Sequence, residues 1–296
     1  MALWFFFVLT LLLPGVAILW MFRRSPKPRI GWVATFAFAA SLVGVSVVAA
    51  PWGWLGVGVR LLLVLMFLTA VITSWRRTDA EPQTDGPFFL IARFLLALFF
   101  FNGLGHAMAG WREPSGAVDM QFPLAEGVAI VAQGGSTMTL NIHNIDASQR
   151  YALDLSRLNG IGMRAWGILP DDPARYAAFG TLVVSPCDGT VLSAVDGLPD
   201  NRVGQTDPKN LAGNHVVLRC GEATVYLAHF QRGTVAVKPG AIVRRGTPLA
   251  RVGNSGNTTE PHLHIHAERG GTKLGSAPGV PLTFGGRWLV RNSLVF

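Results

Sequence analysis

Residues 261–268 read PHLHIHAE. Side chains alternate across an extended strand, so His262, His264 and His266 share one face while Leu263 and Ile265 share the other. A row of imidazoles on one face, backed by apolar residues, has few purely structural explanations. Imidazole is a common zinc ligand, and residues two apart on a strand can point into one site. Core histidines or a solvated histidine row are the competing readings of this stretch taken alone.

Two further stretches offer partners. NIHNIDASQRYALDL supplies His143, Asp146 and Asp154. A carboxylate with two imidazoles makes a three-ligand site with one position left open, the mark of a catalytic zinc. YLAHF puts His229 at the end of a strand, and NHVVLRC adds His215, read as structural with a groove position left open. No HExxH is present, so no helix supplies a glutamate base beside two helical ligands.

The surroundings are β-like. From Trp111 onward, short apolar runs are punctuated by Pro, Gly and polar residues, as strands joined by turns are. VAIVAQ and TMTLNIH are expected strands around a turn at Gly134-Gly135, and TLVVS, GTVLSAV, NHVVLRC, ATVYLAH, GTVAV and PLARVG follow. CGEA reads as a hairpin turn. The segment from Ser156 to Gly180 reads as longer and irregular, with a short helix around Pro173–Phe179. Two cysteines, Cys187 and Cys220, form no CxxC pair, which argues against a thiolate zinc knuckle. Spacing leaves a disulfide and two separate buried thiols both open.

The first 110 residues have another character. Half of the chain is hydrophobic and only 14% is charged, against about 25% in ordinary soluble domains. No acidic residue precedes Asp79. Four apolar stretches, Ala2–Phe22, Ile30–Ala50, Leu55–Trp75 and Phe88–Gly110, reach the length of about 20 residues that crosses a bilayer. The first lacks a basic leader and an obvious cleavage site, so a retained span is expected rather than a signal peptide. Arg23, Arg24, Lys27 and Arg29 lie in the first loop, Arg76 and Arg77 in the third, and the PWGW loop carries no charge. Basic loops stay cytoplasmic, which sends the chain after Gly110 to the extracytoplasmic side. Arg60 and Arg93, inside the apolar stretches, are expected to snorkel to the interfaces, and His106 to sit at the outer one. The net charge of +8 follows partly from these flanking residues. With no long basic run interleaved with aromatics in the second half, it gives no support to nucleic-acid binding.

On the stretches SPCDGTVLSA, GNHVVLRCGEATVYLAHF and VKPGAIVRRGTPLARVGNSGNTTEPHLHIHAE, the sequence resembles the lysostaphin-like (LytM-type) zinc metallopeptidases that cut peptide bonds in peptidoglycan. Asn141–Leu155 matches more loosely. The apolar stretches predict an all-α membrane region of four transmembrane helices (residues 1–110), and the strand pattern with the resemblance predicts that a mostly-β, antiparallel-sheet peptidase domain follows (111–296, core 140–270). The resemblance implies Zn2+ as cofactor and a peptidoglycan peptide as substrate, and together with the spans and basic loops it leads to an expected multi-pass place in the bacterial cytoplasmic membrane. Carried over residue by residue, it makes His264 and Asp154 zinc ligands, with His143 the remaining ligand, and His229 and His262 catalytic. His143 lies eleven residues before Asp154, where the family pattern has four, and Asp146 does not restore the spacing; QRYALDL fits the aspartate context. His266 is expected in a second shell or facing solvent. Two other readings are weighed. A non-catalytic scaffold of the same fold would have lost metal residues. A biotinyl or lipoyl carrier would need an exposed MKM-like lysine turn that this chain lacks.

Overall fold

The structure is a computed structural model that describes residues 7–23, 29–77, 86–270 and 275–296. The chain divides into two compact units: Met1–Trp52 with Val57–Ala109, and Gly53–Gly56 with Gly110–Phe296.

The first unit is helical. A π-helical turn, Val8–Leu12, leads into α1 (Leu13–Arg23). Helix α2 spans Arg29–Ala49, α4 Val57–Arg76 and α5 Pro87–Ala109, while the single turn α3, Trp52–Leu55, falls mostly in the second unit. Among the described residues three helices, α2, α4 and α5, are long and apolar enough to cross a membrane, against the four expected. The described part of the first, Val8–Arg23, is shorter. At 1.5 Å of rise per residue it falls short of a hydrocarbon core of about 30 Å. Residues 2–6 of that stretch, and the loop residues Arg24 and Lys27, lie outside the described residues. Large apolar side chains are exposed along α4 and α5, among them Leu62, Leu65, Leu95 and Phe99. Arg93 departs from expectation. It does not snorkel outward but is buried within this unit: Nη1 donates to Thr35 Oγ1 at 2.6 Å, Nε to the Phe89 carbonyl at 3.1 Å, and the guanidinium lies over the Trp20 ring. A hydroxyl, a carbonyl and a ring face satisfy the charge locally, so it need not reach water.

The second unit is built on a nine-stranded, antiparallel sheet. Its strands in chain order are β1 (Ala129–Gln133), β2 (Leu153–Arg157), β3 (Gly189–Val195), β4 (Asn214–Cys220), β5 (Ala223–Phe230), β6 (Ile242–Val243), β7 (Leu263–Arg269), β8 (Gly279–Val280) and β9 (Leu294–Val295). The spatial order is β9-β1-β2-β7-β5-β4-β3-β6, with β8 also paired to β7. One face supplies the core: Leu153 and Leu155 on β2, Val216 and Leu218 on β4, Val225 and Leu227 on β5, and Leu263 and Ile265 on β7. The period of two then sends Asp154, His215, Tyr226, His264 and His266 to the opposite face. This alternation positions the site.

Local departures from the sequence reading have local causes. TMTLNIH is not a strand but a run of turns ending in a 3-10 turn, Ile142–Ile145. Its buried Asn141 spends its amide on the carbonyls of Gly135 and Ala152 at 3.1 and 3.0 Å, and its side-chain oxygen accepts the His143 N–H. A side chain that caps the backbone in this way competes with a ladder. GTVAV is likewise not a strand; the Gly233 and Val235 amides donate to the Asp196 carboxylate instead of to a neighbouring strand. The Pro173–Phe179 helix contracts to a 3-10 turn, Pro173–Arg175. CGEA does close the β4–β5 hairpin, with Gly221 at φ 60°, a left-handed conformation that glycine adopts without penalty. Cys187 and Cys220 form a disulfide.

Candidate metal centre

Strand pairing assembles the site. On the β2–β7 ladder Asp154 stands directly opposite His264, where antiparallel side chains of one face approach most closely. The 3-10 turn held by Asn141 brings His143 over the same carboxylate. His143 Nε2 lies 3.0 and 3.1 Å from the two Asp154 oxygens, and His264 Nδ1 lies 3.0 Å from Oδ1. One donor atom from each of these three residues lies within 4.8 Å of the others. Asp146 is not among them; its carboxylate accepts the Ser148 N–H and hydroxyl, both at 2.8 Å.

The donor set fits a metal ion. Ligand atoms about 2.05 Å from a tetrahedral ion sit about 3.3 Å apart, close to the separations found. The charge states of Asp154 and His264 suit a metal site, and only His143 is shifted toward the protonated form. Burial opposes the Asp154 carboxylate's charge, but His143 and His262 outweigh it and hold the group well below the usual carboxylate range. Burial pushes His264 down to about 3, so its ring is neutral, as a metal ligand must be. His143 is raised, because Asp154 overcomes the effect of burial.

Two more histidines flank the cluster. The His262 Nδ1–H donates to the Glu260 carbonyl at 2.8 Å, and Nε2 lies 3.5 Å from Asp154 Oδ1. The His229 Nδ1–H donates to the Ser255 carbonyl at 2.9 Å. Each carbonyl fixes a tautomer, so both rings keep Nε2 for the site, and their centroids lie 5.0 Å apart. Burial pushes His229 well below its ordinary value. His262 is pushed up to about 8, because Asp154 outweighs burial. His229 has φ 68°, rare for a residue with a side chain. Its backbone is pinned there by the Ala212 carbonyl and the Gly253 amide, at 3.0 and 2.9 Å. Strain of this kind persists where the surroundings over-determine it, and it clusters at functional sites.

The loop 253–260 between the last long hairpin and β7 explains why GNSGNTTEP is so distinctive. Gly256 has φ 87°, and a Cβ there would sit 2.4 Å from Gly213 N. The close approach lets Ser255 Oγ accept the Asn214 N–H at 2.9 Å and donate to the Phe230 carbonyl at 2.7 Å, which aims its own carbonyl at His229. The cluster opens into a cavity of about 540 Å³ lined by His143, Leu192, His215, Tyr226, His229 and His264. His215 is half-buried, with Nδ1 donating to the Gly213 carbonyl at 2.7 Å. His266 does not face solvent; it is 2% exposed and lies behind His264. The Ser255 and Glu260 carbonyls escaped sequence reading because backbone groups leave no residue-type signal; the crowded glycines of GNSGNTTEP were the available hint.

Fold and cluster define a domain that presents a metal-binding donor set at the floor of a cavity on an antiparallel sheet. Residues 174–275 match the model of peptidase family M23. The match contains His229, His262 and His264; His143 and Asp154 lie before it and join the cluster through the fold. Over 124 residues the chain is 33% identical to the peptidoglycan DD-endopeptidase ShyA of Vibrio cholerae, covering 40% of this chain and 26% of that protein. The chain therefore spans about a quarter of the length of that curated relative. Among solved structures, the catalytic domain of lysostaphin from Staphylococcus simulans is 20% identical, covering 41% of this chain and 77% of that one, with a TM-score of 0.27. A zinc-containing peptidase from Vibrio cholerae is 21% identical, covering 40% and 47%, with a TM-score of 0.26.

Proposed function

We propose that the chain is a zinc-dependent endopeptidase that hydrolyses peptide bonds of peptidoglycan, in cross-links or stem peptides, from the outer side of the bacterial cytoplasmic membrane. The observation that carries this reading is the meeting of His143, Asp154 and His264 beneath a cavity, with His229 and His262 beside them. Family M23 and the endopeptidase relative support the substrate class. His143 Nε2, an Asp154 oxygen and His264 Nδ1 would hold the ion. Zinc bound there supplies a water whose pKa is lowered from about 15.7 to about 7, and a Lewis acid for the scissile carbonyl. His229 and His262 contribute Nε2 atoms whose orientation is fixed from behind by backbone carbonyls. A lone pair on either one can take a proton from the attacking water, and an N–H can donate to the developing oxyanion. Buried walls on the sheet side exclude bulk water and strengthen both interactions.

The test is digestion of crosslinked peptidoglycan by the full chain. New amino and carboxyl termini are expected, lost with a chelator and restored by zinc. Intact muropeptides after prolonged incubation with zinc would overturn the reading.

The orientation rests on the basic loops at Arg23 and Arg76, and a disulfide between Cys187 and Cys220 agrees with an oxidising compartment. A reporter active only outside the cytoplasm, fused after Phe296, is expected to be active, and the same reporter placed within residues 25–28 inactive. The opposite pattern would remove the cell wall as substrate.

A further inference from the structure

Behind His264, on the side away from Asp154, lies a second line of buried polar groups that the hydrolytic reading does not use. His264 Nε2 is 2.9 Å from His266 Nδ1. His266 Nε2 is 3.5 Å from Glu268 Oε1, longer than an ordinary hydrogen bond, and has no hydrogen-bond partner among the described residues. Glu268 is itself fully buried, and its two oxygens accept the amides of Gly275 and Ala277 at 2.7 and 3.0 Å. All three residues are on β7, two apart, so a single strand aligns them.

The arrangement is costly without a purpose. A carboxylate and two imidazoles are buried in a row, where any polar group left without a partner is destabilising. Phenylalanine would fill the place of His266 with no polar atom to satisfy. The neighbour suits such a ring: Tyr226, directly opposite on β5, stacks on His266 with centroids 4.7 Å apart and planes within 9°.

We infer that His266, backed by Glu268, is a positioning residue that fixes the tautomer and plane of His264 for metal binding. The inference rests on the reading of His264 as a ligand. A nitrogen that binds a metal carries no proton, so with Nδ1 facing the ion the proton of His264 is on Nε2 and needs an acceptor. His266 Nδ1 is that acceptor. The proton of His266 is then on Nε2, facing the Glu268 carboxylate, which its two amide donors hold in place. Were the line reversed, His266 Nε2 would present a lone pair to a carboxylate, and His264 would turn an N–H toward the ion. Hydrogen bonding to the second nitrogen of a ligand histidine both orients the ring and raises its basicity.

The test is zinc affinity of the full chain, measured by chelator competition, alongside thermal unfolding of the metal-free forms. His266→Phe keeps the ring and the stack on Tyr226 but removes the acceptor, and is expected to weaken zinc about 10–100-fold. His266→Asn loses the ring but returns an oxygen where Nδ1 was, and is expected to bind zinc within a few-fold of wild type. Wild-type affinity in His266→Phe overturns the inference. So does equal weakening in both variants, which would assign the effect to packing of the ring. Wild type and His264→Ala serve as controls. If wild type binds no zinc, or His264→Ala binds it as well as wild type, the ligand reading has failed, which is a different result from an unchanged His266→Phe.

Discussion

Full-length protein carrying Asp154→Ala or His264→Ala is expected to hold less than about a tenth of the zinc bound by wild type, itself about one ion per chain. Peptidoglycan cleavage should fall to background with it. Three protein donors are the least that a catalytic zinc site uses, and here they come from three separate segments. Asp154 is the hinge of the arrangement. It lies within 3.1 Å of His143 and of His264, and it meets His264 only through the register of two paired strands. Its loss leaves two imidazoles with no carboxylate between them. Asp146→Ala is the control, because that carboxylate only closes the turn at Ser148, and full zinc is expected. Thermal unfolding gives a second measure. A metal that binds only the folded chain raises its stability in proportion to the logarithm of metal over Kd. Zinc should therefore raise the Tm of wild type and Asp146→Ala but not of Asp154→Ala. Zinc retained by Asp154→Ala and lost by Asp146→Ala would assign the site to the wrong aspartate.

That choice shows how far residue patterns reach. The period of two in HLHIHAE is enough to place His264 and His266 on one face, because strand geometry leaves no other option. The β4–β5 hairpin is legible from CGEA for the same kind of local reason. His143 is different. Its separation of eleven residues from Asp154 carries no periodicity, and the run TMTLNIH has the composition of a strand. What overrides composition is one buried amide, Asn141, whose hydrogen bonds to Gly135 and Ala152 fold the segment back over the sheet. Such a bond is tertiary information, since its acceptors become neighbours only once β2 is in place. The helical unit repeats the lesson. Hydropathy marks the apolar stretches, yet it cannot tell that Arg93 finds Thr35 and Trp20 inside the unit.

His262→Ala and His229→Ala are expected to behave in the opposite way to the ligand variants: zinc and fold kept, turnover reduced by about 10²–10³, the loss typical of removing one group that acts on transition-state charge. The two sets of histidines differ in what holds them. His143 and His264 are aimed at Asp154 at hydrogen-bond distance, whereas His262 Nε2 stands off at 3.5 Å and His229 makes its described hydrogen bond to Ser255. A group that binds the ion in the ground state empties the site when removed. A group that acts on charge appearing during the reaction leaves ground-state binding alone and lowers kcat and kcat/KM together. His229 makes the sharper test, because its left-handed backbone is held by Ala212 and Gly253 rather than by the imidazole. His229→Gly relieves that strain, so its metal-free form should unfold no earlier than wild type, while activity falls as in His229→Ala. Zinc content, circular dichroism and cleavage rate on the same preparations decide the matter. Wild-type rates in both alanine variants, with zinc in place, would remove His229 and His262 from the chemistry. His215 would be the next candidate, since it lines the cavity and is half-buried, whereas His266, also on the cavity wall, is only 2% exposed.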